Sequence, residues 1–86
     1  MSRLFAFYDD KAMFFMPPAV AANENAIMRS LRAAKDEMPD APFVRYPGDF
    51  ILYDVGSFDE QTGVVDGLAV PRRVATFSEI FAQFAT

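Results

Sequence analysis

The sequence predicts an α+β fold: a small antiparallel sheet from two β-hairpins, in the order β-β-α-β-β-α, with one main helix packed on a face. Three observations on the 86 residues predict it. Short aromatic and aliphatic runs separated by turn residues occur near the N-terminus and again after Gly48. One stretch between them repeats its apolar residues at helical spacing. Prolines punctuate the chain where these segments end.

Leu4 to Tyr8 is the first run, with high strand propensity. Asp9-Asp10-Lys11 reads as a turn, and Ala12 to Met16 as the second strand, closed by Pro17-Pro18. Asn23 is a candidate N-cap for a helix over about residues 24–37, with Glu24 suited to its first turn. Ile27, Leu31 and Ala34 form its apolar stripe, and Pro39 and Pro42 stop it. Phe43 to Gly48 is expected to be a loop or short extended piece. Phe50 to Val55 alternates, with Phe50, Leu52 and Asp54 on one face and Ile51, Tyr53 and Val55 on the other. A polar loop, Asp59 to Gly63, leads to a returning strand from Val64 to Val70, which Pro71 is expected to end. Thr76-Phe77-Ser78-Glu79 has capping-box spacing ahead of Ile80, Phe81 and Phe84, so a short helix is expected there.

Length and composition bound the function. A chain of 86 residues is expected to be one domain, residues 1–86. It contains no Cys and no His, which excludes disulfides, thiolate zinc sites, a Cys nucleophile and an imidazole base. Neither a zinc spacing nor a phosphate-binding glycine loop nor a nucleophile elbow occurs. The acidic pairs Asp9-Asp10, Asp49 with Asp54, and Asp59-Glu60 read as turn or strand-end carboxylates rather than metal or acid–base sites. No enzyme and no cofactor are expected. Neither a signal peptide nor a membrane span is visible, in keeping with a cytoplasmic protein. The net charge of -4 weighs against strong general affinity for nucleic acid, though it leaves room for a local basic face.

The run Leu4 to Pro18 holds four Phe and one Tyr in fifteen residues. The order of that run, then Ile27, Arg29 and Leu31, then Pro47, Asp49, Phe50, Leu52, Tyr53, Gly56, Phe58 and Asp59 resembles the small nonstructural protein of gokushovirus-like microviruses, which are single-stranded DNA phages. In the first run the matching positions are Leu4, Phe5, Tyr8, Asp9, Lys11, Ala12, Pro17 and Pro18. The resemblance covers about residues 4–63. It implies a phage protein in the host cytoplasm. By genome analogy such a protein acts in the switch from double-stranded to single-stranded genome synthesis through single-stranded DNA binding. It implies no catalytic residues.

Two residue sets fit that reading. Tyr8, Phe15, Tyr46 and Tyr53 are candidates to stack on bases, which is worth about 1–3 kcal/mol per base and tolerates any sequence. Arg29, Arg32 and Lys35 on the helix, with Arg45, Arg72 and Arg73, are candidates for a phosphate track, and Arg3 and Lys11 flank the first hairpin. The structural alternatives are that the rings are core or dimer interface and that the cations are ordinary surface. The apolar edge Ala12 to Met16 suggests a homodimer or higher homo-oligomer. A protein–protein adaptor contacting a replication initiator or an assembling procapsid is the second functional class. The steep salt dependence of phosphate binding separates the two.

Overall fold

The computed structural model describes residues 1–83. Five strands form one antiparallel sheet. β1 (Ser2–Asp9) is flanked on one side by two short strands, β2 (Phe14–Phe15) and β3 (Ala19–Ala21). On its other side it pairs with β4 (Phe50–Phe58), and β5 (Val65–Thr76) pairs beyond β4 as the sheet's edge. The fold class is the expected α+β, with one main helix, α1 (Glu24–Glu37), and two short ones, α2 (Pro42–Arg45) and α3 (Phe77–Gln83).

Local chemistry sets the helix ends. The Asn23 side chain accepts from the backbone N–H of Ala26 at 2.8 Å, satisfying one orphan donor, and Glu24 occupies the first turn. The helix ends at Glu37, with Pro39 two residues on. At α3 the capping box forms in both directions. The Glu79 N–H donates to Thr76 Oγ1 at 3.1 Å, and the Thr76 N–H donates to Glu79 Oε1 at 3.3 Å. Phe84 lies outside the described residues.

The register sorts side chains onto two faces. Phe5 lies opposite Asp54 and Phe7 opposite Leu52, so these residues share a face with Phe50. That face meets Ile27 and Leu31 of α1 and Phe77, Ile80 and Phe81 of α3 in a single apolar cluster, onto which Phe43 and Val44 of α2 also pack. Phe77 is fully buried at its centre, with ring centroids of Phe7, Phe43, Phe50 and Phe81 at 4.9–6.1 Å. Edge-on pairs of this kind add about 0.5–1.5 kcal/mol each beyond area burial. All three helices therefore cover one face of the sheet.

Three elements differ from expectation. The second strand shrinks to Phe14–Phe15, and after Pro17-Pro18 the chain returns to the same margin of β1 as β3, with Leu4 opposite Val20. The prolines interrupt pairing without ending it. Residues 42–45 form a helical turn, followed by a 3₁₀ turn, Pro47–Asp49, where a loop or short extended piece was expected over Phe43 to Gly48. Pro42 is its first residue, where a missing N–H costs nothing. Finally, β5 runs through Pro71 to Thr76. Gly56 pairs with Gly67 and Asp54 with Arg72, so Leu68 to Pro71 bow out of the ladder, and the proline sits where β4 needs no donor.

Candidate functional site

Alternation places Tyr53 and Ile51 on the sheet face away from the helices, and the pairs Ala6–Tyr53, Tyr8–Ile51 and Tyr8–Phe15 bring the rest of that face together. Tyr8, Phe15 and Tyr53 form a ring cluster there. Their centroids are 4.8 Å apart for Tyr8–Phe15, 5.2 Å for Phe15–Tyr53 and 6.2 Å for Tyr8–Tyr53. Both tyrosines are half-buried and Phe15 is exposed. The opening aromatic run thus splits as a strand must: Phe5 and Phe7 go to the core, and Tyr8 and Phe15 go to the open face. Arg73 lies opposite Tyr53 in register. It donates to Glu79 Oε1 at 2.9 Å, and this bond holds the Glu79 carboxyl below its usual range.

The other expected cations lie elsewhere. Arg29, Arg32 and Lys35 are exposed on α1, in the layer behind the opposite face of the sheet. Lys35 Nζ stands 5.5 Å from the Phe81 ring, and Arg32, Lys35, Asp36 and Phe81 line a polar pocket of about 140 Å³. Arg45 ends α2 with its guanidinium 5.6 Å from the exposed Tyr46 ring, so these two form a small separate pair. Arg72 turns to the helix face and is bonded to Glu24 of α1 and to Asp54 of β4 at 3.3 Å. The structure brings Tyr8, Phe15 and Tyr53 together, with Arg73 beside Tyr53 in register, and it separates them from Arg29, Arg32, Lys35, Arg45, Tyr46 and Arg72.

A charged cluster was missed in the sequence. Asp54 is 4% exposed. It accepts from Arg3 Nη2 at 2.8 Å and Arg3 Nε at 3.1 Å, and from the Gly56 N–H at 3.1 Å, besides Arg72. Burial pushes its carboxyl up, but the bonds from Arg3 and Arg72 outweigh that and hold it below the ordinary carboxylate range. The signal was present: an Asp on the same face as Phe50 and Leu52 has to be paired. Asp59 and Asp9 behave as the turn residues expected. Asp59 Oδ1 accepts from Gln61 and Thr62 N–H groups, and Asp9 Oδ1 from those of Lys11 and Ala12. Among the described residues no cluster of acidic groups could hold a metal ion, and no helix is long and apolar enough to cross a membrane.

None of the curated proteins and none of the solved structures matches the chain. A family model described as phage ORF5 protein matches residues 2–80, which takes in every strand, α1, α2, and the capped start of α3. That span is nearly the whole chain, and it agrees with the phage resemblance of the aromatic and Pro-Gly-Asp segments. The chain belongs to the phage ORF5 protein family.

Proposed function

We propose that this phage protein binds single-stranded DNA with little sequence preference, without catalysis, and acts in the host cytoplasm in the switch toward single-stranded genome synthesis. The observation that carries the reading is the ring cluster of Tyr8, Phe15 and Tyr53 on the sheet face that the helices leave open. Stacking on bases asks for aromatic rings within reach of solvent on a rigid support, and a β-sheet provides one. Arg73 beside Tyr53, and Lys11 exposed in the turn between β1 and β2, are the cations best placed to meet the backbone. The site is thus proposed on the sheet rather than on α1.

The test is fluorescence anisotropy of a labelled mixed-sequence ~30-mer at low salt, with Tyr8→Leu and Tyr53→Leu. Leucine keeps an apolar side chain and removes the stacking plane. Each change is expected to weaken binding about 5- to 150-fold, the equivalent of about 1–3 kcal/mol per stacked base. Full-strength binding by both variants removes the rings from the site. A second reading, an adaptor for a replication or capsid protein, is favoured by one observation: Arg3, Arg72 and Arg73 are already ion-paired within a chain of net charge -4. Complete absence of DNA binding by the parent protein at low salt selects it.

A further inference from the structure

The two margins of the sheet are unlike. On one, β2 has two residues and β3 three, separated by Pro17-Pro18, so that margin offers no continuous ladder. The other is β5, twelve residues long, with only β4 beside it. Its outer part is uncovered, and beside the charges of Asp66 and Arg72 it shows apolar side chains: Val65, Leu68 and Val70 are 61%, 40% and 77% exposed. Long apolar edges of this kind recruit another strand. A head-to-tail assembly needs two different edges, whereas a two-fold pair uses the same edge twice. With one long edge present, the occupant that fits is a second copy of this chain.

Charge supports the same occupant. Asp66 lies opposite Ser57, which shares the helix-side face with Arg3, and Arg72 lies opposite Asp54 on that face. We propose that β5 is the interface between two copies, paired antiparallel about a two-fold axis through Ala69. That register sets Asp66 of each copy against Arg72 of the other and Leu68 against Val70, with no like charges opposed. The dyad consumes the edge, so the assembly closes as a pair. It also keeps both open aromatic faces on one side of a single continuous sheet.

The test uses the full chain, which contains no cysteine. Residues directly opposed on antiparallel strands have Cβ atoms about 4.5–5.5 Å apart, close enough for a disulfide after small adjustment. Under mild oxidation Ala69→Cys is expected to cross-link to a covalent dimer within minutes. Val20→Cys, exposed on the opposite margin, is expected to remain monomeric on a denaturing gel. Light scattering of the parent should give the dimer mass, and Leu68→Lys or Val70→Lys the monomer mass with an unchanged circular dichroism spectrum. A monomeric parent at ~200 μM overturns the proposal. So does cross-linking at Val20 as fast as at Ala69, or a dimer that survives both lysine variants.

Discussion

At the scale of single residues, Asp54 shows how a buried charge can be held in so small a domain. Its carboxylate has Arg3 on one side, Arg72 on the other and the Gly56 N–H between. Both arginines are partly exposed, so their charges keep water while the carboxylate gives it up. Removing the charge by Asp54→Asn leaves Arg3 without its anion and Arg72 with Glu24 alone, and should cost about 1.5–3 kcal/mol in urea unfolding at neutral pH. The pH dependence has a definite sign. Because the folded-state pKa lies below the unfolded value, the contribution is complete above about pH 4 to 5. It fades as pH falls through the folded value. Parent stability should therefore drop more steeply than that of Asp54→Asn below about pH 4, and parallel curves would show that the pair contributes nothing. In the sequence the face of Asp54 was legible from alternation, but its partners were not. Arg3 is 51 positions away and Arg72 is 18, and only the β1–β4–β5 register unites them.

At the scale of elements, legibility followed the range of the forces. α1 and the capping box of α3 could be read because their caps and apolar spacing lie within a few residues. β3, α2 and the second half of β5 were obscured by prolines, whose effect depends on whether a neighbour needs the missing N–H. At β5 the answer comes from β4, where the chain passes from Asp54 to Gly56 while β5 passes from Arg72 to Gly67. Gly56 is the position that permits the close approach. A Cβ built there would stand 2.4 Å from the Asp66 carbonyl oxygen and 2.9 Å from the Gly67 Cα, both backbone atoms that cannot swing aside. Gly56→Ala should therefore force β4 and β5 apart around the bulge and destabilise the domain by about 1–3 kcal/mol. Amide exchange of residues 65–67 should accelerate more than that of α1. An unchanged melting curve would mean that the two strands can separate locally at no cost.

At the scale of the whole molecule, the sheet separates what the sequence grouped. Stacking rings and helix cations were expected to cooperate, yet α1 lies behind the core face, and Tyr8, Phe15 and Tyr53 occupy the other. No spacing rule could show this, because the side of the sheet on which a helix packs is decided by the path of the chain after β3. The separation makes the proposed DNA site testable by charge as well as by rings. For single strands the slope of log K against log salt changes by about 0.7 for each phosphate that the protein no longer neutralises. Arg73→Gln removes the guanidinium opposite Tyr53, and should flatten the slope by about that amount. Arg29→Gln combined with Arg32→Gln removes two cations from the opposite layer, and should leave the slope unchanged, with only a modest fall in affinity from the more negative net charge. If instead the α1 pair flattens the slope by about 1.4 and Arg73→Gln does nothing, the DNA lies along the helix and the open sheet face is left for a protein partner.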